Sequence, residues 1–235
     1  ECGGTHGAKY VVEQHPEVFR GVRYAVSEFG GFPLRIRGQT FYPIQVAEKG
    51  PVVIELTVCG PAGHGARPMR GGAMARAAEV LRRLDSLRTP VHVTPVTRRM
   101  IEAVAARLPR GDGLVVRRLL HPAWTDRLLA RLGATGRELE PLFRNTANAT
   151  LIRGGERPNV VPSEVRIGLD GRLLPGFSPD DLLAEIEPAL RGDADARVVA
   201  GEAPRTDVDF GLFERLARLL EVKERDAVAI PYILP

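Results

Sequence analysis

A chain of 235 residues is long enough to bury one large core or two modest ones. Its hydrophobic content of 44% and aromatic content of 6% suit a soluble globular protein, and no run of 18 apolar residues offers a transmembrane helix. The formal charge of +4 does not mark a nucleic-acid binder: only Lys9, Lys49 and Lys223 are lysines, and the arginines are interleaved with acids rather than gathered in one block.

Lys9 to His15 reads as helical, with Tyr10, Val11 and Val12 as its apolar positions. Gly21 to Val26 reads as a short strand broken by Gly30-Gly31. Residues 34–48 alternate apolar and polar through Leu34, Ile36, Phe41, Ile44 and Val46, with a turn at Gly38-Gln39, which predicts a hairpin or two successive strands. Gly50-Pro51 punctuates the boundary. Residues 52–58 are a strongly apolar strand, followed by the loop Cys59-Gly-Pro-Ala-Gly-His64-Gly-Ala-Arg-Pro68. A helix over 73–87 puts Ala73, Ala77, Val80, Leu81 and Leu84 on one face. Arg76, Arg82, Arg83 and Arg88 are expected on a solvated face.

Residues 97–140 lack alternation and are broken at Pro109, Gly111-Asp112-Gly113, Pro122 and Gly133, which predicts a helical insertion with Trp124 in a core or interface. Strands are predicted at 147–153 and 164–174, the second half-buried and antiparallel. Ser178 caps a helix from Pro179 to Leu190. A short strand at 197–200, an amphipathic helix at 209–221 and a strand from Ala227 to Ile230 complete the chain. Without the insertion, residues 52–200 run β-α-β-β-α-β, the ferredoxin-like order of four antiparallel strands backed by two helices.

Four features carry potential chemistry. His64 lies on a glycine-flanked loop, where Gly63 and Gly65 permit backbone angles that a Cβ would forbid; such a histidine is either an ordinary surface residue or one presented for chemistry. Asn159, within Arg157-Pro158-Asn159-Val160-Val161-Pro162, is a turn residue or a ligand-facing amide. Arg172, in Asp170-Gly171-Arg172, suits bidentate capture of a carboxylate, or else an ion pair with Asp170 or another surface acid. Glu1 and Glu28 flank glycine-rich turns; in an α/β protein such carboxylates are metal ligands or plain surface residues. Cys2 and Cys59, the only cysteines, are no disulfide framework, which points to a reducing, cytoplasmic setting.

Taken in order, the motifs Glu1-Cys2-Gly3-Gly4, Glu28-Phe29-Gly30-Gly31, Ala47-Glu48-Lys49-Gly50, Gly63-His64-Gly65-Ala66-Arg67-Pro68, Gly154-Gly155 with Asn159-Val160-Val161-Pro162, and Asp170-Gly171-Arg172 with Pro175-Gly176 resemble the dinuclear zinc exopeptidase and amidohydrolase family. That family includes aminoacylase, carboxypeptidase G, acetylornithine deacetylase and succinyl-diaminopimelate desuccinylase. The resemblance spans nearly the whole chain and is weakest over 97–140.

The resemblance implies an α/β (α+β) fold with a ferredoxin-like dimerisation, or lid, domain at 49–204, inserted between partial catalytic segments at 1–48 and 205–235. It implies two zinc ions, with cobalt or manganese as substitutes, and Glu1 and Glu28 as carboxylate ligands. The general base would be the residue just before Glu1, and further ligands would lie upstream of it and beyond Pro235. Both ends of the chain are therefore expected to be cuts from a longer protein. His64 would reach a partner subunit's site and stabilise the oxyanion of the tetrahedral intermediate. Asn159 and Arg172 would hold the substrate near its carboxylate. The implied activity is hydrolysis of an amide bond in an N-acyl amino acid or short peptide by a homodimer, with this chain inactive alone and no nucleic acid or membrane as partner. The alternative is a non-catalytic dimerisation or peptide-binding module.

Overall fold

The computed structural model describes residues 6–26, 30–201, 203–224 and 226–235. The elements are α1 (Ala8–Gln14), β1 (Leu34–Ile36), β2 (Gln39–Glu48), β3 (Gly50–Cys59), β4 (Gly63–His64), α2 (Ala73–Ser86), α3 (Pro95–Arg107), α4 (Arg110–Arg117), α5 (Pro122–Arg131), α6 (Ala134–Leu139), β5 (Thr146–Arg153), β6 (Val160–Val161), β7 (Glu164–Leu173), α7 (Pro179–Leu190), β8 (Asp195–Gly201), α8 (Gly211–Lys223) and β9 (Ala227–Leu234).

Strands β5-β7-β3-β8 form a four-stranded antiparallel sheet in that spatial order. With α2 and α7 on one face, this is the ferredoxin-like arrangement that the element order predicts. Alternation selects the buried face. Val52, Ile54, Leu56 and Val58 of β3 and Val165, Ile167 and Leu169 of β7 point at Ala73, Ala77 and Val80 of α2 and Leu182, Ile186 and Leu190 of α7. Each fully buried aliphatic side chain contributes about 1.5–3 kcal/mol. Gly171 lets α7 come close, since a Cβ there would lie 2.5 Å from Val52 Cγ1 and 2.7 Å from Leu182 Cδ2. The helix α7 begins with a reciprocal cap: Ser178 Oγ accepts from Asp181 N at 3.2 Å and Asp181 Oδ2 accepts from Ser178 N at 2.7 Å.

A second sheet has the order β1-β2-β9, with β1 antiparallel and β9 parallel to β2. Its core joins Phe41, Ile230 and Ile233 to Val96, Met100, Ile101 and Val104 of α3, and to Leu129, Leu142 and Phe143. The helical run expected to be an insertion of the four-stranded unit therefore packs on the other sheet. Among the described residues no helix is long and apolar enough to cross a membrane.

Several local expectations change. Residues 22–26, expected as a strand, have no regular structure and pair with no strand among the described residues. Strand β9 continues four residues past Ile230. Pro231 is tolerated because β9 is an edge strand, with one side where a missing N–H costs little. Arg83 is not on a solvated face: its side chain is 15% exposed and pairs with Asp193 at 2.6 Å. Of the core and interface readings of Trp124 the core one fails: it is 43% exposed, with the guanidinium groups of Arg118 and Arg127 against its ring.

Lys49 occupies the junction between the two sheets, between the last residue of β2 and the first of β3. It is buried, and its Nζ donates to Pro141 O at 3.3 Å, Arg144 O at 2.8 Å and Thr146 Oγ1 at 3.2 Å. Its backbone N–H donates to Leu234 O at 2.9 Å, at the end of β9. Beside it, buried Asn145 accepts from Leu174 N at 2.8 Å and donates to Glu185 Oε1 at 3.0 Å. His92 Nε2 meets the same carboxylate oxygen at 2.6 Å. The polar groups of three separate crossings between the sheets thus converge on one cluster.

Burial pushes the Lys49 ammonium down to about 8 from its ordinary 10.5, with the nearby Arg172 cation acting in the same direction and Glu185 opposing. Between these two values the unfolded chain binds more protons than the folded one, so this group's contribution to stability rises with pH across that window and is flat below it. Lys49→Met should destabilise the chain by about 1–3 kcal/mol at neutral pH, because it strands buried acceptors. Urea unfolding from neutral pH to 10.5 should show the gap between wild type and variant widening above pH 8. A gap that stays constant or narrows would contradict the assignment.

Candidate functional site

The His64 loop is built by pairing. After β3, Gly60 N donates to Ser163 O at 2.9 Å, which holds the loop against the start of β7. Strand β4 then pairs antiparallel with β6, placing His64 opposite Val160 and Gly63 opposite Val161. Gly65 N donates to Asn159 O at 2.8 Å. His64 and Asn159, 95 positions apart in the sequence, are thereby neighbours on one exposed rim.

The flanking glycines serve close approach rather than unusual backbone angles. Neither Gly63 nor Gly65 has a positive φ. A Cβ on Gly65 would stand 3.3 Å from the Asn159 carbonyl oxygen, so a side chain there would push the two segments apart. His64 is exposed and lies in a two-residue strand, not in an open turn.

The ring of His64 is oriented from its own loop. Its Nδ1 lies 3.2 Å from the Ala66 backbone N–H. A backbone N–H can only donate, so Nδ1 accepts, and the proton of the neutral ring sits on Nε2. Nε2 is the ring position left to donate to a ligand. That suits stabilisation of a developing negative charge better than proton abstraction.

Arg172 lies elsewhere. On β7 it pairs in register with Pro51, close to Lys49, whereas Glu164 at the other end pairs with Cys59 beside the His64 loop. Eight residues of strand separate these ends, about 27 Å at 3.4 Å per residue. The Arg172 guanidinium is also engaged: Nε and Nη2 donate to Asp170 Oδ1 and Oδ2 at 3.0 and 3.2 Å. Of the two readings open from the sequence, the ion pair with Asp170 is the one formed. Nη1 is left unused by that pair.

Glu1 and Glu28 lie outside the described residues. Val26 and Gly30 line a cleft of about 990 Å³ together with β2 and Leu216 of α8. Asp209 on its rim is not free to bind a cation. It accepts from Gly211 N at 2.7 Å, Arg23 Nη2 at 3.0 Å and Tyr24 OH at 3.0 Å, and these bonds hold its carboxyl below the usual carboxylate range. Among the described residues, no three His, Cys, Asp or Glu side chains converge as a metal site would require. These residues therefore do not by themselves fit a zinc pair.

Sequence reasoning missed the junction cluster of Lys49, Asn145, Glu185 and His92. One signal was available: a lysine is conspicuous in a chain whose basic residues are nearly all arginine, and Lys49 stands between a strand and Gly50-Pro51.

Residues 46–197 match the model of the peptidase dimerisation domain of the M20 family. The chain belongs to this family. One relative, a probable carboxypeptidase S-like protein of Dictyostelium discoideum, is 26% identical over 151 residues, covering 64% of this chain and 28% of that protein. Human carnosine dipeptidase 1 superposes over 95% of this chain and 50% of its own, with a TM-score of 0.51 and 15% identity. The M20 family metallo-carboxypeptidase Sso-CP2 of Sulfolobus solfataricus covers 79% of this chain and 52% of its own, with a TM-score of 0.46 and 15% identity. At 15% identity, human carnosine dipeptidase 1 speaks for the fold alone. The M20 chain described here spans 28% of the curated relative's length.

The His64 assignment has a direct check. Long-range 1H–15N correlation spectra at mildly alkaline pH should place the ring proton on Nε2. A proton on Nδ1 would contradict the bond from Ala66.

Proposed function

We propose that this chain is the lid and part of the catalytic domain of a metal-dependent hydrolase that cleaves the amide bond of an N-acyl amino acid or short peptide. The observation that carries the reading is the exposed pair of His64 and Asn159 on one rim of an M20 dimerisation domain, with the His64 ring oriented to donate. The family match at 46–197 supports a division into 1–48, 49–204 and 205–235. Cytoplasmic residence is part of the reading, supported by the free thiol of Cys59.

The His64 rim lies off the Glu164 end of β7, and Arg172 is about 27 Å along that strand from Glu164, too far for both ends to hold one small substrate within one chain. A homodimer removes the difficulty. His64 and Asn159 would serve the partner's site, the histidine steadying the oxyanion, while Arg172 offers Nη1 to a substrate carboxylate. Strand β5 is the proposed dimer edge. It is a free edge of the four-stranded sheet, carries no charge from Thr146 to Ile152, and exposes Leu151 and Ile152 at 59% and 57%. The opposite edge, β8, carries Asp195 and an Arg197–Glu55 ion pair.

Glu1 and Glu28 are the proposed metal carboxylates, completed by groups that the described residues do not supply. When bound, zinc would polarise the amide carbonyl and supply an activated water. This chain alone, given zinc or cobalt, should hydrolyse neither N-acyl amino acids nor dipeptides above background.

In the full-length protein, His64→Ala should lower turnover at least a hundredfold with metal content unchanged. Loss of zinc would instead make His64 a ligand. Mixing His64→Ala subunits with Glu1→Ala subunits should restore part of the activity. No restoration would sink the partner-subunit reading. Leu151→Asp with Ile152→Asp should turn the chain into a monomer by sedimentation velocity; an unchanged dimer would move the interface off β5.

A further inference from the structure

The end of α2 borders a cavity that the reaction above does not use. It has a volume of about 410 Å³ and lies between residues 81–89 and 140–149, against the same segment whose Arg144 carbonyl and Thr146 hydroxyl hold Lys49. Its wall has two characters. Leu81, Leu84 and Leu87 make one side apolar. Asp85, Arg88 and Asn148 bring a carboxylate, a guanidinium and an amide to the other, all exposed and none with a side-chain partner among the described residues.

Asp85 and Arg88 are only three positions apart, yet they do not pair with each other. The other acid and base on the wall, Glu140 and Arg144, are already engaged with each other at 3.3 Å. The cavity thus presents one unused negative group, one unused positive group and an apolar floor. The final carbonyls of α2, whose axis ends here, add partial negative charge on the Asp85 side.

We propose that this cavity binds a free apolar α-amino acid as its zwitterion. The ligand ammonium meets Asp85 and the carbonyl end of α2. Its carboxylate meets Arg88, whose planar fork donates to both oxygens, and the amide of Asn148. The side chain lies on Leu81, Leu84 and Leu87. A cavity of this size is at the lower end of small-molecule sites and is ample for an amino acid. None of its residues belongs to the His64 rim or to the proposed metal set, while Thr146 to Ala149 of its wall lie on β5, so the site borders the proposed dimer edge.

Isothermal titration of the 235-residue chain tests this with L-leucine, N-acetyl-L-leucine and L-leucinamide as probes. Leucine should bind saturably at one site per chain. The acetylated compound lacks the ammonium and the amide lacks the carboxylate, so each should bind at least tenfold more weakly. Asp85→Asn and Arg88→Ala remove exposed groups without partners; each should fold with an unchanged melting midpoint and weaken leucine at least tenfold. Arg110→Ala, outside the cavity wall, should bind leucine as wild type does. Absence of leucine binding would overturn the proposal. So would equal binding of the two blocked compounds, or undiminished binding by both cavity variants.

Discussion

A single buried ammonium ties this fold together. Lys49 stands where the chain leaves one sheet for the other, and burying a cation there requires that its three protons find acceptors. The acceptors come from the segment before β5 and from its first residue, so a later crossing of the chain must close on the first. Asn145, inside that same segment, then fixes Leu174 and Glu185. The two hydrophobic cores are separate clusters, and this polar cluster links segments that carry them. Its geometry is demanding because an unmet hydrogen bond in such a place costs more than a formed one gains.

The four-stranded sheet acts as a ruler. At one end it carries the pairing of β4 with β6, which brings His64 to Asn159; at the other it carries Arg172 and the junction. Two consequences follow from the rigidity of strands. The histidine rim cannot fold back onto Arg172 in the same chain. The open edge at β5, without a charged residue before Arg153, invites a second strand. Both are the features on which the proposed sharing of chemistry between subunits rests.

Much of this was legible in the sequence. The β-α-β-β-α-β order, the Ser178 cap and the inward faces of β3, α2 and β7 are written in periods of 2.0 and 3.6 residues, which are local properties of the backbone. The candidate residues His64, Asn159 and Arg172 stood out through their glycine and proline settings. The less legible parts depend on distant partners. The helices from Pro95 to Leu139 are amphipathic on their own terms, yet nothing local tells which sheet their apolar faces will cover. Arg83 reads as a surface arginine until Asp193 is brought beside it. Gly65 reads as a residue kept for its backbone angles until the Asn159 carbonyl is found against it.

By itself, the sequence determined which segments are strands and helices, which faces they bury and which residues could do chemistry, because these rest on neighbours within a few positions. Only the tertiary structure decided that His64 Nδ1 accepts from Ala66, that Asn159 is its companion, that Arg172 is engaged by Asp170 at the far end of the sheet, and that Lys49 bonds to the segment before β5. The Asn159 and Lys49 contacts are hydrogen bonds across more than ninety positions, and the His64 and Arg172 bonds, though only two positions long, are chosen from several possible partners once the surrounding strands have paired.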